Sequence, residues 1–266
     1  MALFTDVVQG VGNTTAATAV ALPDLTLPAS ARMISRIWVT GSVQNFNAAE
    51  PFSGYVTVKS EDCGIAPLHI PFEIVPGFVT VGASVQREPH KWIVNCPCVG
   101  NTKLSFETFV DTTQSAAGEV QVTVEFTDGG SPFGEGQIHM KSSEGVDALG
   151  TADNVAISLN DIEIKASKLH AIWGYALQTT ATADEGCPTT VSITSDDFLE
   201  SGPFRFAWNP HGGLIANGAS GGVDLTVIET DRNFKVSGSK QTLSCVTTTR
   251  DAMAGNGLAG WGVIYS

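Results

Sequence analysis

The sequence has few charged residues, and basic residues are especially scarce. Only 15% of its 266 residues are charged, where about 25% is usual in soluble domains. The 14 Lys and Arg residues stand against 27 Asp and Glu, which leaves a net charge of −13. Because a chain this acidic repels a phosphate backbone, we do not expect direct binding to nucleic acid.

Long hydrophobic runs are also lacking, and cysteines are few. No apolar run approaches the roughly 18–20 residues that span a bilayer. The first 15 residues, MALFTDVVQGVGNTT, have neither the basic segment nor the apolar segment of a secretory signal. A disulfide-stapled domain would carry more cysteines in fewer residues. We therefore expect a protein made and folded in the cytosol with free thiols. The cysteines are Cys63, Cys96, Cys98, Cys187 and Cys245.

Glycine, threonine, serine and valine are abundant, with 28 Gly in the chain. This composition is typical of turn-rich β structure. The hydrophobic share of 42% is enough to form one or two cores. At 266 residues the chain is long for one domain and comfortable for two of roughly 130 residues.

The two halves of the chain repeat one another. Arg32–Trp38 aligns with Ser167–Trp173 at an offset of 135 residues, and Gly118–Phe126 aligns with Gly257–Tyr265 at an offset of 139. Four further blocks keep the same order at offsets of 135 to 139: Tyr55–Asp62 with Thr190–Asp197, Pro67–Phe72 with Pro203–Trp208, Gly82–Ser84 with Gly218–Ser220, and Leu104–Ser105 with Leu243–Ser244. A slowly growing offset is what small loop insertions produce, so the pattern indicates one duplicated domain.

Each half contains about eight β-rich runs separated by Pro, Gly, Asn and Asp clusters. Eight strands per unit is the number in a jelly roll, and the Cys and Trp spacing of immunoglobulin domains is absent. We therefore predict an all-β chain of two tandem eight-stranded β-sandwiches, a double jelly roll, with units at residues 1–132 and 133–266. Residues 1–18 are expected to form an N-terminal arm that orders on assembly, and Asp251–Leu258 is a candidate short helix. Strand order is not visible in the sequence.

A serine motif and two acidic pairs are candidates for catalysis. Gly218–Gly222 fits the G-x-S-x-G pattern of a nucleophile elbow, but a β-like run follows it and no histidine occurs after His211. We interpret it as a flexible loop. The pairs Glu61-Asp62 and Asp196-Asp197 end the same strand in both halves. Neighbouring strand residues point to opposite faces, so a solvated strand end is favoured over glycoside hydrolysis or Ca²⁺ binding.

Metal-binding patterns are weak. Cys96-Pro-Cys98 is shorter than the C-x-x-C knuckle of zinc sites and has no second half-site. The histidines show no ligand spacing. His69 and His170 align with Arg205 and with Ser35 or Arg36 in the other copy, which indicates tolerated surface positions. We assign no catalytic residue, cofactor or metal. The histidines are His69, His90, His139, His170 and His211.

Two of the tryptophans have an expected role in the core, and the role of two others stays open. Trp38 and Trp173 occupy equivalent positions in an apolar strand, where core packing is the expected role. Trp92 and Trp208 are candidates for a sugar platform or a contact between subunits, and the sequence does not decide between these roles.

The duplicated blocks, which cover nearly the whole chain, make it resemble the double jelly-roll major capsid proteins of tailless, membrane-containing icosahedral viruses. The resemblance implies a virion protein, not an enzyme, that is synthesised in the host cytoplasm. It implies homotrimers whose six similar units form a pseudo-hexameric tile of an icosahedral shell. The implied partners are neighbouring trimers, the minor capsid, penton or membrane proteins of the virion, and an internal lipid membrane, with no direct contact to the genome.

Three other functions stay open. A trimeric tail, baseplate or spike protein would form a stable trimer without sheets or shells. A tandem carbohydrate-binding module would show exposed coplanar aromatic rings. An enzyme such as a bicupin would need a histidine-rich metal signature, which the sequence lacks.

Overall fold

The structure is a computed structural model. It describes residues 2–11, 18–43, 52–63, 65–76, 84–85, 89–110, 118–130, 137–143, 147–149, 154–178, 189–200, 202–208, 223–249 and 257–266. These residues contain no helix, and their strands form four antiparallel sheets. None of them belongs to a helix long and apolar enough to cross a membrane. The predicted all-β class is confirmed.

The first half of the chain builds two of the sheets. Its strands are β1 (Leu3–Val11), β2 (Val20–Thr26), β3 (Met33–Val43), β4 (Phe52–Ser60), β5 (Ile65–Pro76), β6 (Ser84–Val85), β7 (Trp92–Pro97), β8 (Lys103–Val110) and β9 (Gly118–Thr127). One sheet has the order β1-β9-β3-β7, and the other has the order β2-β8-β4-β5-β6.

The second half builds the other two sheets. Its strands are β10 (His139–Ser142), β11 (Asp147–Leu149), β12 (Ala156–Lys165), β13 (Lys168–Gln178), β14 (Thr189–Thr194), β15 (Phe204–Trp208), β16 (Val223–Asn233), β17 (Lys240–Thr249) and β18 (Gly257–Tyr265). One sheet has the order β10-β18-β13-β16, with β11 also paired to β18, and the other has the order β12-β17-β14-β15.

Both halves have the same strand order. When the short β6 is set aside and β10 and β11 share the first position, the order is 1-8-3-6 in one sheet and 2-7-4-5 in the other. The first strand thus pairs with the eighth, the second with the seventh, the third with the sixth and the fourth with the fifth. This pairing defines the eight-stranded jelly roll. Each half is a jelly roll, so the predicted fold class is confirmed and the strand order is now known.

The strand register confirms the duplication residue by residue. Trp38 lies opposite Thr123 on β9, and Trp173 lies opposite Gly262 on β18. The sequence alignment pairs these positions at its offsets of 135 and 139. The other sheet agrees, since Tyr55 faces Phe109 in the first half and Thr190 faces Thr248 in the second.

The chain also divides into two compact units, which follow its two halves apart from two segments of the first half. The first unit comprises Met1–Asn45, Phe52–Ile74 and Gln86–Met140, and the second comprises Phe46–Pro51, Val75–Val85 and Lys141–Ser266. In the second unit both sheets contribute to one apolar core, as expected of a sandwich. That core includes Ile164 and Leu243 from one sheet and Ile172, Trp261 and Val263 from the other. The boundary predicted between residues 132 and 133 stays a prediction, because residues 131–136 lie outside the described residues.

Three tight connections meet at one end of each unit, which we call the turn end. They join strands two to three, four to five and six to seven of the jelly roll. In the first unit the amide of Leu27 donates to the carbonyl of Thr102 (2.9 Å), and that of Cys98 donates to the carbonyl of Arg32 (2.9 Å). In the second unit the amide of Gly238 donates to the carbonyl of Ala166 (3.0 Å). These bonds satisfy backbone groups that the sheets leave unpaired.

The structure corrects one expectation at the N-terminus. Residues 3–11, expected to form an arm that orders on assembly, form β1, which pairs with β9 from Leu3↔Thr127 to Val11↔Glu119. Residues 1 and 12–17 of the predicted arm, which was residues 1–18, lie outside the described residues. So does most of the candidate helix at 251–258, whose last two residues, Gly257 and Leu258, belong to β18.

Candidate functional site

A polar cavity opens at the turn end of the first unit. Its volume is about 500 Å³, and its lining comes from β2, β4, β5, β8 and the turn after β4. The lining residues are Asp24, Lys59, Ser60, Glu61, Asp62, Pro67, Lys103 and Ser105.

Both lysines that line this cavity are held by carboxylates. Lys103 Nζ lies 2.7 Å from Asp24 Oδ2, and its backbone amide donates to Asp62 Oδ2 (2.7 Å). The hydrogen bond to Asp24 raises the pKa of Lys103 above its usual value. Lys59 Nζ lies 2.6 Å from Glu107 Oε2. Ammonium groups that are paired with carboxylates in this way can stabilise the fold or contact a polar ligand. The lining includes no histidine that could act as a general base.

Both serine hydroxyl groups of the cavity donate hydrogen bonds to backbone carbonyls. Ser60 Oγ donates to the carbonyl of Lys103 (2.8 Å), and Ser105 Oγ donates to the carbonyl of Lys59 (3.5 Å). An activated serine needs a neighbouring base within hydrogen-bond reach, and neither serine has one in the lining. In the described part of the chain, no group of three or more His, Cys, Asp or Glu side chains has the geometry of a metal site.

The acidic pairs considered in the sequence occupy turns. Glu61 and Asp62 follow β4, and Asp196 and Asp197 follow β14 at the equivalent place in the second unit. Asp62 caps the amide of Lys103 as described above, and the carbonyl of Asp197 accepts from the amide of Lys235 (2.8 Å). Each pair therefore organises the turn end of its own unit. The Gly218–Gly222 segment lies outside the described residues.

The structure corrects the interpretation of His69 as a surface position. His69 is buried, and its ring stacks on Tyr55 at 4.8 Å between centroids. The aligned Arg205 of the second unit is exposed. The same aligned position is therefore buried in one unit and exposed in the other, which the substitution pattern does not reveal. His170 is half-buried, with Nε2 2.8 Å from Ser266 Oγ, and His211 lies outside the described residues.

Among the tryptophans, Trp173 has the predicted core position and Trp92 does not have a surface role. Both side chains are buried, so Trp92 is excluded as a sugar platform or a subunit contact on the surface of this chain. Trp38 is half-buried, and Lys91 Nζ lies 5.2 Å from the centre of its ring. The side chain of Trp208 is outside the described part of the structure. Trp261, which the sequence did not single out, is buried and donates from Nε1 to the carbonyl of Asn160 (2.9 Å).

The cysteines of the first unit are not isolated from one another. Cys96 and Cys98 are buried on and just after β7, and Cys63 is half-buried in the turn after β4. Cys96 Sγ donates to the carbonyl of Pro97 (3.5 Å). Burial and the nearby Cys63 raise the pKa of Cys98 to about 11. The spacing in the sequence could not reveal this influence, because Cys63 lies in the turn after β4 and Cys98 lies just after β7.

A buried ion pair joins two strands of the first unit. Glu125 is buried on β9 and accepts from Arg36 Nε (2.8 Å) and Nη2 (2.7 Å) and from Ser35 Oγ (3.1 Å). Burial alone would raise the pKa of Glu125, but these hydrogen bonds and the charges of Arg36 and Lys91 outweigh it and hold that pKa below its usual value. The pair fastens β3 to β9.

Strand β1 presents an exposed apolar surface at the edge of its sheet. Leu3, Phe4 and Val7 are exposed by 50%, 41% and 45%, while Val8 between the sheets is buried. Edge strands with apolar side chains are sites where other chains can pair. Isolated exposed apolar side chains also occur at the turn ends. They are Val99 in the first unit and Leu199 and Val236 in the second.

Comparisons with known proteins give likenesses of fold. No protein-family model matches the sequence, and no curated protein matches it. The STIV major capsid protein aligns over 100% of this chain and 97% of its own, with 11% identity and a TM-score of 0.47. N-glycanase F (PNGase F) aligns over 98% and 95%, with 13% identity and a TM-score of 0.40. The cowpea mosaic virus top component aligns over 98% and 89%, with 7% identity and a TM-score of 0.43.

At these identities and TM-scores the alignments do not identify a family. The architectural resemblance inferred from the duplication is confirmed by the chain itself, through two jelly rolls of the same strand order.

Proposed function

We propose that this chain is a structural virion protein, a major capsid protein that assembles as homotrimers. The observation that carries the proposal is the tandem repetition of one jelly-roll strand order within a single chain. Two similar units per chain, taken three times around a threefold axis, give six similar units in a ring. Such a pseudo-hexameric trimer can tile an icosahedral shell, in which many modest contacts add up to a stable lattice.

The exposed surface of β1 supports self-assembly. An edge strand with three exposed large apolar side chains is a liability in an isolated protein and is useful where a neighbouring copy covers it. Neighbouring trimers are the main proposed partners, together with minor capsid, penton or membrane proteins of the virion and an internal membrane. The proposed location is the virion, after synthesis in the host cytoplasm. The net charge of −13 favours these partners over the genome.

The native mass of the purified chain tests this proposal. Light scattering coupled to size exclusion should give a species of about 83 kDa, three times the chain mass of 27.8 kDa. Electron microscopy should then show sheets or shells at high concentration. A stable trimer that never forms either would favour a tail, baseplate or spike protein. A monomer at every concentration would contradict the proposal and favour a binding module, which a glycan screen would then examine.

A further inference from the structure

We propose that β1 of one copy of this chain pairs antiparallel with β1 of a second copy, in the register that places Val7 opposite Val7. The inference deepens the proposed function and rests on it for the place of the contact, which is between neighbouring trimers. A pair of identical antiparallel strands has a twofold axis. It therefore cannot close a threefold ring, and it joins one trimer to the next.

The outer edge of β1 is long and carries little charge. Among the described residues β1 pairs with β9 alone, over nine residues, and Asp6 is its one charged residue. The equivalent edge of the second unit is interrupted, since β10 and β11 have only four and three residues. The edge strand β16 has eleven residues, but four of them are charged. Natural proteins shorten or charge an edge that must stay unpaired, and β1 has neither protection.

Two hydrogen bonds show which backbone groups of β1 face the free edge. The amide of Val7 donates to Asp6 Oδ1 (2.9 Å), and the amide of Ala2 donates to Asp128 Oδ1, just after β9 (2.7 Å). In an antiparallel pair, alternate residues direct their N–H and C=O groups towards the same side. The even-numbered residues of β1 therefore bond to β9, and the odd-numbered residues present their backbone groups at the free edge.

The register centred on Val7 uses all of these free groups. It pairs the nine residues of β1 with the nine of the second copy. Odd-numbered residues lie opposite odd-numbered residues, which allows about ten N–H···O=C hydrogen bonds. Thr5 then lies opposite Gln9, and Val7 lies opposite itself. A shift of two residues would place Asp6 opposite Asp6, and like charges that are directly opposite destabilise a sheet.

The side chains of this edge also favour a second copy as the partner. Leu3 and Val7 lie on the outer face of the sheet, because side chains alternate along a strand and Val8 is buried on the other face. In the paired sheet the two Val7 side chains lie against each other and are removed from water. The chain has a net charge of −13, so a strand with one charge is a place where two acidic copies can meet with little repulsion.

Asp6 restrains this contact in the isolated chain. Its carboxylate holds the amide of Val7, which is the central donor of the proposed register. That amide can donate to the second copy only after the carboxylate releases it. Removal of the carboxylate should therefore strengthen the pairing.

The test introduces one cysteine at a time into β1 of the full chain and applies copper phenanthroline as oxidant. Opposed residues of a hydrogen-bonded pair have Cα atoms about 5.5 Å apart, which is within the range of a disulfide. Val7→Cys should therefore link two copies through position 7, as peptide mapping will show. Leu3→Cys is the matched control, because the two positions 3 would be roughly 27 Å apart and should not link. The wild-type chain gives the background from its own cysteines.

Two substitutions that change charge test the register without an added cysteine. Val7→Asp places two carboxylates opposite each other and should weaken the association between trimers about fivefold or more. Asp6→Ala frees the amide of Val7 in both copies and should strengthen that association at least about threefold. Glu200→Ala is its control, because it removes an exposed carboxylate from the second unit and measures the effect of the lost charge alone.

The outcomes separate this inference from the proposed function. Equal linking at positions 3 and 7 would overturn the inference. Trimers that form sheets or shells without a link at position 7 would also overturn it, and would leave the proposed function standing. A link at position 7 in a protein that never forms trimers would support the pairing and contradict the proposed function.

Discussion

At the scale of single residues, Gly262 shows how closely the second core is packed. It lies opposite Trp173 across β13 and β18, and the indole covers the position where a side chain would begin. A Cβ atom built at Gly262 overlaps the ring of Trp173. Because both strands are central in the sheet, neither can move aside.

We expect Gly262→Ala to destabilise the protein by about 1–3 kcal/mol, the usual result of overpacking a core. Gly130→Ala is the matched control, because a Cβ atom at Gly130 meets nothing within 4 Å. Urea denaturation of the two variants measures the difference. Equal stability of both variants would show that Trp173 can shift at little energetic cost.

The Arg36–Glu125 pair provides a prediction about pH. The folded state lowers the pKa of Glu125, so its contribution to stability is fully present above the unfolded value of about 4.3 and is lost as the pH falls through the lower folded value. Glu125→Gln should cost about 1–2 kcal/mol at neutral pH. The difference from the wild type should shrink below about pH 4.

The control for this prediction is Glu107→Gln, which removes the exposed partner of Lys59. Exposed pairs contribute little, so this change should cost less than about 0.5 kcal/mol. Stability curves from pH 3 to about 8 would distinguish the two variants. A Glu125→Gln curve that runs parallel to the wild type at every pH would contradict the assigned role.

At the scale of elements, β1 gives a test of whether the N-terminus is a strand or an arm. Val7 and Val8 are neighbours on β1, but Val7 is 45% exposed and Val8 only 6%. Val8→Asp should lower the unfolding free energy by about 3 kcal/mol, because it buries a charge between the sheets. Val7→Asp should lower it by less than about 0.5 kcal/mol in the isolated chain. If neither substitution changed the thermal unfolding, the N-terminus would be an arm and not a strand of the sheet.

The sequence predicted which segments form strands better than it predicted which strands pair with each other. The duplication was visible because aligned blocks, such as those that contain Trp38 and Trp173, keep an almost constant offset in the sequence. Strand order was not visible, because the paired residues of β1 and β9 are 108 to 124 residues apart in the sequence. Trp92 was left open because alternation does not reveal which face of β7 is covered.

At the scale of the whole molecule, the net charge of −13 sets a condition for assembly. Copies of an acidic chain repel one another, and this repulsion is screened within about 10 Å at 0.1 M salt. We expect the assembled fraction to increase with sodium chloride and as the pH is lowered towards the isoelectric point of about 4.6. Light scattering across a salt series measures this fraction. Dissociation at high salt would instead indicate that ion pairs between copies dominate the contacts.

The shared register of the two jelly rolls also makes the chain its own comparative experiment. Arg36 and Glu125 face each other in the first unit, and Ala171 and Ile264 face each other at the corresponding place in the second. One backbone plan has thus accepted an ion pair in one copy and an aliphatic pair in the other. Each aligned strand position in one half has a counterpart in the other half, and the residue there is already compatible with that backbone. The tolerance of the fold to mutation can therefore be read within a single gene product, by exchanging counterparts between its halves.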